Sequence, residues 1–370
     1  MLFILILFSF FVLSLLCYYF CIFWRLIKFK IKTEDSVNQP VSVIICAKDE
    51  AENLQKFLPE IYTQNHPDFE VVLINDRSID ETLEVMKSFE ERYPQKTVLV
   101  DVPRSNDNRL TGNKKYALTL GIKAAKNNIL LFTDADCRPA GKNWIARMTT
   151  PFSQDKQIVL GYGAYQKQKG FLNKLIRYET VQTALQYFSY ALKGMPYMGV
   201  GRNLAYTKEL FMQNNGFYNH LDVMSGDDDL FVNETATAEN TAICLHPEAF
   251  TFSQPKTGFK DYLHQKRRHI STASHYRFSH RILLGFYFVA LLGFWLTAWV
   301  LLRTDTYVPL VLGMIFVRLA TAWYINYKTN RKLQEKDLNL WFPVLEISLL
   351  LFQLLIFVIN LFKKPSRWAN

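Results

Sequence analysis

Residues 41–50 read VSVIICAKDE: seven mostly apolar residues rich in β-branched types, then a lysine and two acids. A continuous apolar run of this length is the pattern of a strand buried on both faces. The figure recurs in EVVLI at 70–74, followed by Asn75-Asp76-Arg77-Ser78, and in Thr97–Val102. It recurs once more in NILLFT at 128–133, followed by Asp134-Ala135-Asp136. Polar, helix-type segments lie between the runs, over Glu52–Asn65, Asp80–Arg92 and Lys114–Lys126. Strands alternating with helices predict an α/β domain, its sheet mostly parallel and covered by helices on both faces. Ligands of such sheets bind beyond the carboxyl ends of the strands, which is where this chain gathers its acids.

The flanks have another composition. The chain has 43 Lys+Arg against 33 Asp+Glu, a net charge of +10, and 49% apolar residues. Residues 2–24 carry no charge, and 282–302, 307–325 and 341–362 are almost as apolar. The first stretch is long enough to cross a bilayer and lacks the basic start and small-residue cleavage site of a signal peptide, so a retained anchor is expected. Arg25, Lys28, Lys30 and Lys32 follow it, and the positive-inside rule places them, with the polar domain, in the cytoplasm. The expected organisation is an anchor with its basic flank at 1–32, a cytoplasmic catalytic domain at 33–281 and a membrane region at 282–370. A multi-pass protein, expected in a bacterial inner membrane, follows. The spans 282–302 and 307–325 form a hairpin around Arg303–Thr306, with basic flanks on the cytoplasmic side. Segment 341–362 conflicts with this: crossing would carry Lys363, Lys364 and Arg367 outside, whereas a re-entrant or interfacial path would not. Arg318 and Glu346 sit at similar depth, either paired or each snorkelling to a headgroup.

Several classes are excluded by what the sequence lacks. Neither G-x-G-x-x-G nor G-x-x-x-x-G-K-[ST] occurs, which argues against a nicotinamide dehydrogenase and a P-loop NTPase. The five cysteines form no paired C-x-x-C motifs, so a zinc site and a disulfide framework are not expected. The basic blocks hug the apolar segments, so membrane lipids and not nucleic acid account for the positive charge. Clustered carboxylates at strand ends suit a hard divalent cation, Mg²⁺ or Mn²⁺, with phosphate oxygens completing its coordination.

In this order VSVIICAKDEAENL (41–54), VVLINDRSIDET (71–82), FTDADC (132–137), SGDDDLF (225–231) and QKRRH (265–269) resemble the family-2 glycosyltransferases. Those enzymes are membrane-associated, inverting and of the GT-A fold. GNKKYALTLGI (112–122) and GRNLAYTKELF (201–211) are similar to the family's donor-side and acceptor-side segments. The resemblance covers nearly all of 41–273. It implies that Asp76 contacts the base or ribose of a nucleotide-sugar, that Asp134 meets the ribose or the metal, and that Asp136 holds the cation. It implies Asp228 as the general base, with Asp227 the next choice. It also implies that Gln265 and Arg268, from a Q-x-x-R-W-like signature, serve the diphosphate. His269 stands where the family has Trp, a departure from the processive polysaccharide synthases.

The expectation is a membrane-anchored, metal-dependent transferase that moves a sugar from a nucleotide-sugar, most often a UDP-sugar, to a lipid or lipid-linked hydroxyl acceptor. A polysaccharide synthase, a polyprenyl-phosphate glycosyltransferase and a non-catalytic scaffold are the rival readings. Lys114 is grouped with the donor-side residues, although lysines at a helix start, like it and Lys115, ordinarily stay solvated. The aromatics of 171–192 read as packing residues, and His220, His246 and His264 as structural.

Overall fold

The computed structural model describes residues 1–31, 39–103, 114–153, 155–223, 225–304 and 307–362. The apolar runs are strands: β1 (Val41–Ala47), β2 (Phe69–Asn75), β3 (Thr97–Asp101) and β4 (Ile129–Asp134). They pair in parallel in the order β3-β2-β1-β4, with Asn75 beside Ala47 and Asp101, and Asp134 beside Cys46. The acidic ends therefore share one edge of the sheet. Short strands follow: β5 (Cys137–Pro139), β6 (Ile158–Leu160), β7 (Gly163–Tyr165), β8 (Leu204–Thr207), β9 (Thr241–Ile243) and β10 (Thr251–Ser253). β8 runs antiparallel between β4 and β6, and β9 pairs with β6 to complete a seven-stranded sheet. β5, β10 and β7 make a separate small sheet beside the Asp134–Asp136 loop.

The helices are α1 (Leu2–Tyr18), α2 (Trp24–Lys28, joined to α1 by a π turn), α3 (Ala51–Tyr62), α4 (Thr82–Arg92), α5 (Lys114–Ala124), α6 (Trp144–Thr149), α7 (Phe171–Leu192), α8 (Lys208–Gln213), α9 (Asp229–Thr235), α10 (Phe259–Ile270), α11 (Phe278–Leu302), α12 (Val308–Lys332) and α13 (Phe342–Phe362). Alternation along β1 shows why both faces of the sheet are covered. Val41, Val43 and Ile45 pack with Leu54, Leu58 and Ile61 of α3, whereas Ile44 points to the opposite core with Ile122 of α5.

Among the described residues, four helical stretches are long and apolar enough to cross a membrane: Leu2–Lys28, Phe278–Leu302, Val308–Lys332 and Lys336–Phe362. α12 runs past the apolar segment 307–325, and its last turns are held by polar contacts. There Asn326 accepts from Gln182 of α7, Asn330 bonds Asn339, and Lys332 Nζ donates to Phe29 O at 2.6 Å. Arg318 and Glu346 pair through two hydrogen bonds, one of 2.9 Å, and both side chains are buried. The snorkelling alternative is thereby set aside. Lys32, Lys363, Lys364 and Arg367, on which the charge rule was read, lie outside the described residues, as do Gly112 and Asn113.

Candidate active site

Two strand-end loops build one wall. Asp49 and Arg77 adopt left-handed backbone conformations, φ 56° and 57°, in which non-glycine residues are uncommon. The loops hold each other: Asp49 Oδ1 accepts from Ile79 N–H at 2.8 Å, and Glu50 N–H donates to Thr82 Oγ1 at 2.8 Å. The turn at Arg77 brings its Nε to 2.9 Å from Asp76 Oδ1. Asp76 is 6% exposed and lines the main cavity with Lys48 and Glu50.

Asp134 ends β4, and the turn after it presents Asp136. Their carboxylate oxygens and Cys137 Sγ lie within 4.8 Å of one another. Burial tends to raise the Asp134 carboxyl, but Lys114, 2.9 Å away, outweighs it and holds Asp134 ionised. Asp136 moves the other way: burial and the Asp134 charge raise its pKa. Two like charges forced together in this manner are a site that a cation would relieve. Glu50, raised by burial and by Asp136 and Asp134, adds a third carboxylate. Cys137 is unsuited to a hard cation. Its buried thiol shares a 2.9 Å hydrogen bond with Ser253 Oγ, and burial and the two aspartates keep it protonated.

Asp227, Asp228 and Asp229 stand at the start of α9, and each is bound differently. Asp228 Oδ2 accepts from Gly201 N–H at 2.6 Å and Oδ1 from Asp229 N–H at 2.8 Å. Glycine suits position 201, because a Cβ there would stand 3.2 Å from Asp228 Oδ2. Burial, with Asp227 and Asp229 alongside, raises Asp228 to about 7 against the pull of those two N–H groups. Asp227 lies 3.5 Å from Lys114 Nζ, so this lysine bridges Asp134 and Asp227. Burial opposes its charge, but the two carboxylates raise it well above the ordinary lysine value. Lys114 is therefore not the solvated lysine that its place at a helix start suggests. Asp229 is buried and accepts from Thr272 Oγ1 and from Tyr276 OH at 2.6 Å.

Lys115 also departs from the solvated reading. It is 1% exposed, and its Nζ donates to the carbonyls of His220, Val223 and Ser225 at 2.6, 2.8 and 2.9 Å. It clamps the loop that delivers Asp227–Asp229. No local pattern signals this, because the three acceptors are backbone carbonyls about a hundred residues away. Arg202, within the 201–211 segment, is a second residue whose individual role the sequence does not signal. Its guanidinium lies 4.3 Å from the Tyr165 ring centre and donates twice to Gly163 O, at 3.1 and 2.7 Å.

A cavity of about 1100 Å³ joins these parts. Asp76, Lys114, Asp134, Asp136, Asp227, Asp228, Gln265 and Arg268 all line it, so every residue singled out in the sequence reaches one space. His269 lines it too, kept neutral by enclosure and by Lys266, Arg268, Arg202 and Lys114. The cavity continues from the acids between α7, α10, α11 and α13, where Leu284, Tyr287, Leu291, Leu349 and Ile356 form an apolar end. Tyr178 and Tyr187 of α7 are buried packing residues whose edges also reach this space.

Residues 42–211 match the family model described as Glycosyl transferase family 2. Glycosyltransferase AglE of Haloferax volcanii is 31% identical over 115 residues, 30% of this chain and 35% of that protein. The 4,4'-diaponeurosporenoate glycosyltransferase of Staphylococcus aureus is 28% identical over 151 residues, 40% of this chain and 38% of its own length. These alignments thus span little more than a third of either relative. Over nearly the whole length of both, the chain resembles the structure of a mannosyltransferase from Pyrobaculum calidifontis in complex with GDP-Man and Mn²⁺. The TM-score is 0.60 at 19% identity, covering 91% of this chain and 98% of that one. The strand order and the acidic edge agree with that match: residues 42–211 resemble glycosyl transferase family 2, on a GT-A fold.

Proposed function

We propose that the chain is a membrane-anchored, inverting, metal-dependent glycosyltransferase that moves a sugar from a nucleotide-sugar to the hydroxyl of a lipid or lipid-linked acceptor at the cytoplasmic face. The observation that carries the proposal is Asp228. It stands where a polar, acid-lined cleft meets a cavity whose far end is apolar and bounded by membrane-type helices. A carboxyl near 7 suits a general base at neutral pH. Asp228 takes the proton of the acceptor hydroxyl as its oxygen attacks the anomeric carbon. The nucleoside diphosphate leaves from the opposite face, which inverts that carbon.

In the proposal Asp134 and Asp136 hold a divalent cation, which when bound neutralises charge on the diphosphate. Arg268 and Gln265 supply hydrogen bonds to diphosphate oxygens, a task for which a guanidinium is well shaped. Lys114 keeps Asp134 ionised and, bridging to Asp227, holds the two loops in register. Asp76, steadied by Arg77, faces the nucleoside. Two neighbours point the same way: one was solved with GDP-Man and Mn²⁺, and a relative is named for a lipid-like acceptor.

The test is a panel of nucleotide-sugars, UDP-sugars first, with Mn²⁺ or Mg²⁺ and total membrane lipids, the products being identified by mass spectrometry. Sugar transferred to lipid supports the proposal. Nucleotide binding without transfer or donor hydrolysis leaves a scaffold instead. Full activity in Asp228→Asn points to an acceptor phosphate that needs no base.

A further inference from the structure

α13 has two faces and two anchored ends. Glu346, Leu349, Gln353, Ile356 and Asn360 recur at steps of three and four residues and line the cavity. Val344, Ile347, Leu351, Leu355 and Val358 recur with the same steps on the other face and are exposed, Leu351 by 58%. One side of the helix thus looks into the active-site space, with a polar residue every seventh position. The other side is purely apolar.

The N-terminal end is tied to the catalytic domain. Arg177 of α7 is buried against Glu335 and Asp337, Lys167 Nζ lies 3.0 Å from Asp337, and Lys174 Nζ stands 4.9 Å from the Trp341 ring. Midway, Phe352 stacks on Tyr262 of α10 at 4.9 Å with the rings 6° apart. At the C-terminal end Arg267 Nε, also on α10, donates to Asn360 Oδ1 at 2.8 Å. α10 precedes α11 directly, so Asn360 lies at the end of the helical bundle from which α11 departs. α1, α11 and α12 behave differently. With α2 continuing α1, they pack along their lengths, from Trp24–Tyr324 at 5.7 Å to Phe8–Phe294 at 5.7 Å.

A helix that crosses a hydrocarbon core of about 30 Å puts its ends on opposite sides. Both ends of α13 are held by side chains of one domain on one side. We infer that α13 does not cross the membrane: it lies in the interface as a roof over the cavity, with its apolar row on the acyl chains. The chain then crosses three times, through Leu2–Lys28, α11 and α12. The Arg318–Glu346 pair pins the start of the roof to α12. The last turn of α13 then stays on the side of the catalytic domain. Where the proposed function holds, the acceptor enters between the roof and α11, along Leu349, Ile356, Leu284 and Leu291.

The test reads topology without activity. Asn370→Cys, Lys123→Cys in the catalytic domain and Arg303→Cys in the α11–α12 turn are each labelled with a membrane-impermeant maleimide. Right-side-out and inverted vesicles are used, with the unsubstituted chain as background. Asn370→Cys is expected to label with Lys123→Cys and opposite to Arg303→Cys. Labelling together with Arg303→Cys overturns the inference. A second measurement separates the roof from the reaction. Leu349→Trp, facing the cavity, is expected to raise the acceptor KM at least tenfold, whereas Leu351→Trp leaves it unchanged. The expected labelling with no KM change in either variant supports the roof and removes the lipid acceptor. A tenfold KM rise in Leu351→Trp alone contradicts the assigned faces and overturns the roof.

Discussion

Replacing Asp228 by Asn tests the chemistry at its centre. The change keeps the shape and removes the charge. It also turns an amide NH₂ toward one of the two N–H groups that Asp228 accepts, so one of the hydrogen bonds of 2.6 and 2.8 Å is lost. Removing a general base costs about 10²–10⁴-fold in rate, roughly 3–5 kcal/mol of barrier. The pH profile adds a signature that misfolding does not imitate. With the carboxyl near 7, about one molecule in a hundred carries the ionised base at pH 5, so kcat/KM falls tenfold per unit below 7 and levels off above it. The asparagine variant loses that limb and runs flat. Stability behaves inversely. A raised carboxyl favours the folded state below its unfolded value near 3.8 and loses that contribution as pH rises through 7, so the variant escapes this loss at pH 8. Initial rates of sugar transfer to extracted lipids between pH 5 and 9, with thermal unfolding in detergent, read both quantities. A variant within tenfold of the parent, with the acid limb intact, refutes Asp228 as the base.

Asp136→Asn is expected to abolish Mn²⁺ stimulation while nucleotide binding persists, checked by calorimetric titration of the nucleotide with and without the metal. Lys115→Met strands one buried and two half-buried carbonyls and is expected to lower stability by about 2–4 kcal/mol, with residues 220–223 and 225–229 exchanging amide hydrogens faster. Glu346→Leu leaves Arg318 charged and buried, at a cost of about 3–5 kcal/mol, whereas Arg318→Leu with Glu346→Leu recovers most of it; unfolding midpoints in detergent compare the two.

The acidic edge was legible because each buried parallel strand announces itself as an apolar run and ends on its own carboxylates. VSVIICA corresponds to β1 residue for residue, and the ends of β2 and β4 fall within one residue of their runs. What escaped was long-range or too short to have a period. Three-residue strands such as β5 and β10 carry no alternation, so the second sheet was invisible. Lys115 is bound by carbonyls that its neighbours in sequence do not reveal. α13 has the composition of a span, and hydropathy counts apolar residues without asking which face they occupy. Only the anchoring of its two ends separates lying on a membrane from crossing it.

The link from Asp229 to Thr272 and Tyr276 ties catalysis to the tether. The hydroxyls that steady the residue beside the proposed base stand just ahead of α11, a helix long and apolar enough to cross a membrane. Chain cut before Thr272 loses both, and a carboxylate designed to be gripped is left buried with its charge unmet. On the proposed function the soluble and membranous parts are not an enzyme and its mooring: the mooring begins beside the proposed base, and the position of the bilayer surface becomes a coordinate of the reaction.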